Sequence, residues 1–392
     1  YYELNVSRAL KMTGNAMVFR TFAYTNNYYP ACSNKYQLED ALSGVEIWNV
    51  TAHDRVYIES TVQEGNLLTF VKKAYPLQEF VAVKTNAEFP SPEIVGKVSN
   101  QDLHGLPMCD MVIISHPDFI EEAERLAEAH WQKSGLQVQV VSVEQVYNEF
   151  SSGNPDATAY RRLMKMFYDR LKNPKQHMLY LLLMGDGHLD NRGIEDNVEE
   201  THRLLTYQSQ NSIYEMQSYV TDDYFGLMDN SEGRNVLVEQ MDISVGRFPV
   251  KTKAEATTVV DKTIAYMNDT HKGQWKTKLC FLADDGDSNS HVSEADSVSC
   301  KFQQNDTNYL LKKIYLDAYK QETSASGEAY PLANEVFQNL VKTGALMFNY
   351  TGHGGAVNWS NEAILSLQDI QSMYNKALGF WVAATCNFGH WD

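Results

Sequence analysis

Apolar positions along the chain change their spacing near residue 107, and that change divides the sequence into two kinds of structure. Before it, short alternating or aromatic runs recur at Ala16–Tyr24, Val45–Val50, Val56–Glu59, Leu67–Val71 and Glu79–Val83. Turn-rich pieces such as Thr25–Pro30 and Asp102–Pro107 punctuate this region. Evenly spaced short strands without a convincing helix predict an all-β, sandwich-like domain over residues 1–106. No reactive cluster lies within it, so docking or support is the expected role.

Beyond Met108 the pattern alternates between compact apolar runs and helical spacing. Met111–Ser115 reads as a strand, and Phe119, Ala123 and Leu126 then recur on one helical face up to Gly135. A strand over Leu136–Val143 follows, then a helix bearing Tyr160, Leu163, Met164, Phe167 and Leu171, then the apolar strand Met178–Met184. Residues 190–240 are polar and irregular and predict loops with a hairpin. Order returns at Ile243–Pro249 and in a helix bearing Val259, Val260, Ile264 and Met267. A second unit opens with strand Lys278–Ala283. It continues through helices near 293–313 and 332–343, strand Ala345–Tyr350, a helix at Leu367–Tyr374 and strand Phe380–Ala384. Strand–helix–strand alternation with fully apolar strands predicts parallel sheets covered on both faces. The expected domains are 1–106, an α/β subdomain over 107–276, and a second over 277–392.

Composition narrows the functional classes. With 33 basic against 50 acidic side chains, the net charge of −17 repels phosphate backbones and argues against nucleic-acid binding. Five cysteines, Cys32, Cys109, Cys280, Cys300 and Cys386, are odd in number and lack a C-x-x-C pair, so neither a disulfide framework nor a structural zinc site is indicated. No run approaches the 18 apolar residues of a membrane span. The chain opens at Tyr1 without a basic-then-apolar leader, the pattern of a mature or trimmed product.

Two reactive side chains stand where an open parallel sheet binds its ligands, outside the carboxyl ends of strands. Ala345–Tyr350 runs into Thr351-Gly352-His353-Gly354-Gly355, and Phe380–Ala384 runs into Thr385-Cys386-Asn387-Phe388-Gly389. The two are far enough apart in sequence for one crossover helix, so neighbouring strands present His353 and Cys386 on one rim. An imidazole beside a thiol favours the thiolate nucleophile. Flanking glycines let the N–H groups of Gly354 and Cys386 approach an oxyanion. Alone, either residue reads as a loop histidine or a buried thiol; together at two strand ends they predict a cysteine nucleophile with its base. Rival motifs fail. Gly185-Asp186-Gly187 lacks the ending of a phosphate loop, no G-x-S-x-G occurs, and Cys386 with His390 lacks two further zinc ligands.

The segments Asn349-Tyr350-Thr351-Gly352-His353-Gly354 and Ala383-Ala384-Thr385-Cys386-Asn387 resemble the histidine and cysteine motifs of the gingipain family of cysteine peptidases, relatives of the caspases. Tyr180–Gly187, Ile243–Phe248 and Cys280–Gly286 resemble the same family in the same order, so the likeness covers roughly residues 108–392. It implies a caspase-like α/β peptidase of two subdomains with mainly parallel sheets, acting through a Cys386–His353 acyl-enzyme. It also implies a carboxylate that orients the histidine; the matching position is Asp285, with Asp284 the adjacent alternative. Asp296 falls where arginine-specific members carry a pocket aspartate, although a helix start explains it equally well. Family members bind calcium, for which Asp222, Asp223 and Asp229 are the candidate ligands. Their spacing is not that of an EF-hand loop, and a solvated acidic turn is the competing reading. No cofactor is required for the chemistry.

The β-rich region ahead of the peptidase part, with Ile47-Trp48-Asn49-Val50-Thr51, resembles those relatives that serve type IX secretion as surface signal peptidases or sortases. That implies removal of C-terminal signal domains at the Gram-negative outer membrane surface. The partners would be cargo proteins, other secretion components and a lipopolysaccharide amine acceptor. A general secreted endopeptidase and a non-catalytic peptidase-like scaffold are the alternatives. Family members continue well past the nucleophile, so a chain ending at Asp392 is expected to be a fragment.

Overall fold

The computed structural model describes residues 6–23, 32–94, 96–173, 177–188, 190–191, 204–209, 211, 213–214, 217–324 and 327–386. These form two compact units, residues 1–99 and 100–392.

Among its described residues, the first unit is all β. Strands β1 (Ala16–Arg20), β2 (Ser33–Leu38), β3 (Val45–Asn49), β4 (Tyr57–Ile58), β5 (Val62–Glu64), β6 (Leu67–Lys73) and β7 (Glu79–Lys84) build two antiparallel sheets. Their orders are β1-β7-β3-β4 and β2-β6-β5. Alternate residues of both sheets, Met17, Tyr36, Leu38, Ile47, Phe70, Phe80 and Ala82, meet in one core, as a sandwich requires. Tyr36 stacks on Phe70 at 4.7 Å, and Phe80 meets both edge-on. Strands β2 and β5 add to the five expected from the sequence. Only Tyr36 and Leu38 of β2 turn inward, and all three residues of β5 are exposed. The turn expected at Thr25–Pro30 lies outside the described residues.

The second unit holds two α/β layers. The first comprises β8 (Met111–Ser115), α1 (Ile120–Ser134), β9 (Val138–Ser142), α2 (Val143–Phe150), α3 (Thr158–Arg170) and β10 (Tyr180–Met184). The small hairpin β11 (Tyr207–Gln208) and β12 (Val220–Thr221) follows, then β13 (Ser244–Phe248) and α4 (Lys253–Met267). The second layer opens with β14 (Lys278–Ala283), α5 (Ser290–Asn305) and β15 (Leu310–Tyr315). It continues through the hairpin β16 (Glu322–Ser324) and β17 (Gly327–Ala329), α6 (Pro331–Thr343), β18 (Met347–Thr351), the hairpin β19 (Asn358–Trp359) and β20 (Leu365–Ser366), α7 (Leu367–Ser372) and β21 (Phe380–Ala384).

Both main sheets are parallel, ordered β13-β10-β8-β9 and β15-β14-β18-β21. Val112, Ile114, Leu181 and Leu183 pack beneath α2 and α3, whereas Met111, Ile113, Leu182 and Met184 meet α1 and α4. Burial on both faces explains the unbroken apolar runs in the sequence. The second sheet repeats the scheme. Phe281 packs against Phe302 of α5, while Cys280 and Leu282 face Phe337 and Val341 of α6.

Two elements depart from expectation. Residues 310–313, expected to close a helix near 293–313, instead begin β15, because an edge strand carrying exposed Leu310, Lys312 and Lys313 shows no apolar alternation. Helix α2 starts immediately after β9, set by a capping box in which Ser142 and Gln145 satisfy each other's backbone N–H groups. Among the described residues, no helix is long and apolar enough to cross a membrane.

Candidate active site

The order β15-β14-β18-β21 places the second and third strands on opposite sides of the first. The crevice where connections part therefore opens at the carboxyl ends of β14 and β18. The chain leaves β14 into Asp284-Asp285-Gly286-Asp287 and leaves β18 into Gly352-His353-Gly354. Strand β21 pairs in parallel with β18, with Thr351 opposite Ala384. His353 and Cys386 each stand two residues beyond that matched pair, so they leave the same rim side by side. Both are exposed.

The backbone of His353 is held from both directions. Its N–H donates to Asp284 Oδ2 at 2.9 Å, and its carbonyl accepts from the Tyr350 hydroxyl at 2.5 Å and from the Ser360 N–H at 2.8 Å. Asp284 is 2% exposed, and burial raises its carboxyl above the usual range against the pull of the His353 and Asp285 N–H groups. Tyr350 is fully buried and stacked on Trp359 at 4.5 Å, and burial raises its hydroxyl well above its ordinary value. Gly352 permits this closeness: a Cβ there would lie 2.4 Å from the Asp284 Cβ and 2.6 Å from the Tyr350 oxygen.

Gly354 serves the nucleophile side. A Cβ on it would come within 2.3 Å of Thr385 Oγ1 and 2.8 Å of the Cys386 carbonyl. The backbone at Gly354 therefore lies against the segment that carries the thiol. Gly354 also bridges Trp359 in an antiparallel pair whose hydrogen bonds run from Gly355 to Asn358 and from Ser360 to His353. In such a non-bonded position the residue's own N–H turns away from its partner strand. Among the described residues, neither the Gly354 nor the Cys386 N–H is donated to another backbone group, which suits two oxyanion donors.

The carboxylate hydrogen-bonded to the His353 ring is Asp287, with Oδ2 2.5 Å from Nε2. Asp285, the position expected to orient the histidine, accepts from the Tyr330 hydroxyl at 2.6 Å, and Asp284 accepts from the backbone N–H groups of His353 and Asp285. Asp287 reaches the ring because Gly286, Asp287, Ser288 and Asn289 all have φ between 45° and 76°. This left-handed run folds the chain back over the rim before α5 begins. The first turn of α5 then brings His291 edge-on to His353, with ring centroids 5.0 Å apart. Neither Asp287 nor His291 stood out in the sequence. The available signal was Gly-Asp-Ser-Asn, residue types that tolerate a left-handed backbone.

Asp296 is the seventh residue of α5, too deep for a helix cap. Its Oδ1 accepts from Lys313 Nζ at 2.6 Å and from the Tyr315 hydroxyl at 3.1 Å. The Lys313 hydrogen bond holds its carboxyl below the usual range. The expected calcium ligands do not converge either. Asp222 forms a two-pronged pair with the buried Arg247, at 2.7 and 2.8 Å, and among the described residues no candidate cation group contains Asp222, Asp223 or Asp229. Side chains that do converge lie around the histidine: Asp284 with His291 and His353, and Asp284 with Asp285 and Glu362. Burial, reinforced by the charges of Asp285 and Asp284, raises the Glu362 carboxyl.

Residues 105–392 match the model of peptidase family C25. The chain belongs to that family. The family is that of the gingipains, and the parallel α/β layers of this chain bear out the expected fold. Similar solved structures include dimeric latent PorU from Porphyromonas gingivalis, with 37% identity and a TM-score of 0.60 over 68% of this chain and 26% of that one. The complex of the pro- and mature domains of RgpB from the same organism shares 18% identity over 70% of this chain and 55% of that one, with a TM-score of 0.46. The Arg-specific proteinase gingipain R shares 17% over 70% and 54%, with a TM-score of 0.48. The chain thus spans about a quarter of the PorU structure and just over half of the RgpB structures. No curated protein matches.

Proposed function

We propose that this C25 peptidase is a signal peptidase and sortase of type IX secretion, acting on C-terminal signal domains at the outer membrane surface. The observation that carries the chemistry is the register of β18 with β21, which sets His353 and Cys386 at equal distances beyond one matched pair. The 37% identity with PorU supports the choice of substrate class. Asp296, which accepts from Lys313, is not needed for this reading.

In the proposed reaction His353 takes the Cys386 proton, and the sulfur forms a bond to the scissile carbonyl carbon. The oxyanion is held by the N–H groups of Gly354 and Cys386. Collapse breaks the C–N bond, and the leaving amine takes the proton from His353. Water, or an amine of surface lipopolysaccharide, then attacks the thioester and releases Cys386. Asp287 keeps the His353 ring oriented while it carries the proton. No cofactor enters these steps; calcium is left a structural role only.

Mass spectrometry of signal-bearing cargo incubated with the full-length enzyme tests this reading. The expected result is one cut at the signal-domain boundary, with the mass of an amine acceptor added, and none of it with Cys386→Ala. Cleavage of many unrelated peptides would replace it with a general endopeptidase. Intact cargo and intact peptides would leave a scaffold.

A further inference from the structure

We propose that Asp284, Asp285 and Glu362, with the hydroxyl of Ser360, form a calcium site that braces the backbone of His353 from beneath. The site stands on geometry alone; its service to catalysis rests on the peptidase reading.

Ligand oxygens of the three carboxylates all lie within 4.8 Å of one another. Calcium–oxygen bonds of about 2.3–2.6 Å let two ligands stand up to about 5 Å apart, so one ion reaches all three. Asp284 and Asp285 follow β14, whereas Ser360 and Glu362 follow β19. An ion among them ties these two segments together. Both segments also hold His353: Asp284 Oδ2 accepts from its N–H at 2.9 Å, and the Ser360 N–H donates to its carbonyl at 2.8 Å. Asp284 is buried while Asp285 and Glu362 are only partly so, which leaves an open side for entry and for water ligands.

Ser360 supplies the independent indication. It is 2% exposed, and among the described residues its hydroxyl has no hydrogen-bond partner. That hydroxyl lies close enough to the Glu362 carboxyl to favour the ionised form, yet the two are not aligned as a hydrogen bond. Glu362 Oε2 is likewise sheltered and without a partner. Two neighbouring oxygens that have both lost their water are destabilising unless something replaces it. A cation between them does so for both.

The chemistry of the donors selects the ion. An all-oxygen set suits calcium or magnesium and not zinc. The carboxylates are also preset, Asp284 by the N–H groups of His353 and Asp285, and Asp285 by the Tyr330 hydroxyl. Each of those bonds uses one lone pair and leaves others free for a metal. Calcium accepts such irregular positions, whereas magnesium demands a near-ideal octahedron at about 2.0–2.1 Å. The competing way to relieve three crowded carboxylates is a proton on Glu362.

The test separates cation from proton. Full-length Cys386→Ala protein, which cannot digest itself, is stripped with a chelator and titrated with calcium by calorimetry. Glu362→Gln keeps the shape of a protonated carboxyl and removes the charge. It should lose one equivalent of calcium, or bind it at least about tenfold more weakly, and lose the matching rise in melting temperature. If its calcium-free melting curve shows no folded state, Asp285→Asn, which still accepts from Tyr330, takes its place. No calcium binding by the parent, or equal stoichiometry, affinity and melting shift in parent and variant, overturns the site. With Cys386 intact, calcium should raise kcat for a small peptide by about threefold or more, and not in Glu362→Gln. An unchanged kcat overturns the bracing of His353. Calcium-loaded enzyme that hydrolyses nothing would overturn the peptidase reading while the binding result stood.

Discussion

Asp287→Asn tests the assignment of the histidine's carboxylate most directly. The substitution keeps size and shape but removes the charge beside His353 Nε2. A fully buried orienting aspartate contributes about 10⁴-fold to a hydrolytic rate. Here both partners are about half exposed, 48% and 49%, so solvent screens most of that effect. Hydrogen bonds to charged groups contribute about 1.5–3 kcal/mol when protected, and exposed pairs about 0.2–1 kcal/mol. An intermediate value of about 1–2 kcal/mol corresponds to a fall of roughly 5–30-fold in kcat/KM. The assay is hydrolysis of a small soluble peptide by the full-length enzyme, with Asp285→Asn measured beside it. Asp285 accepts from Tyr330 rather than from the ring, so its variant should lose less. A larger loss for Asp285→Asn, or none for Asp287→Asn, would show that the left-handed run at 286–289 does not hold this geometry in the working enzyme.

Iodoacetamide mapping should find exposed Cys386 labelled first and Cys109 and Cys280 last. Burial pushes both buried thiols up to about 12, so at pH 8.5 their thiolate is about three orders of magnitude rarer than that of a free thiol. Because these values are raised in the folded state, their stabilising contribution is complete below the unfolded thiol pKa of about 8.5 and declines as pH climbs towards 12. Equal labelling of Cys280 in folded protein would contradict its place in the sheet. Gly354→Ala forces a Cβ to within 2.3 Å of Thr385 Oγ1, so it should cost about 1–3 kcal/mol of local strain and lower turnover more than substrate affinity. Unchanged kcat would remove Gly354 from the oxyanion role. Arg247→Met leaves Asp222 mostly buried without its partner and frees the Gly185, Leu204 and Leu205 carbonyls. Chemical denaturation should show a loss of about 3–5 kcal/mol, and a loss below about 1 kcal/mol would mean that water replaces the pair.

What the sequence disclosed follows from how each feature is encoded. Strands β8, β10 and β14 are buried on both faces, and their apolar runs announce them. Strand β15 lies at a sheet edge and carries Lys312 and Lys313, so its pattern is that of a polar helix end. His353 and Cys386 were legible because strand ends can be read locally and a parallel sheet gathers them on one side. Asp287 and His291 were not, since their position depends on four successive left-handed residues that no spacing rule reports. The acidic run at 221–229 invited a calcium reading because its neutralising cation, Arg247, stands 25 residues from Asp222 and is brought to it only by the fold.

The two α/β layers also show why chemistry sits in one of them. Both have the same topology, with the first strand flanked by the second and the third, so both create a crevice at the carboxyl ends of those strands. In the first layer the carboxyl end of β10 is tied down from the β13 side. The buried Arg247 side chain donates to the carbonyl of Gly185, directly after β10, and to Leu204 and Leu205, while Asp222 neutralises it. The Gly185 N–H is itself taken by the Phe248 carbonyl. In the second layer Gly352 and Gly354 follow β18 as Gly185 and Gly187 follow β10, but His353 and Cys386 stand there in solvent. Equal topology therefore yields one structural joint and one reactive rim. The difference lies in the buried Arg247 tied to the end of β10 and in the exposed His353 and Cys386 that the second rim carries instead.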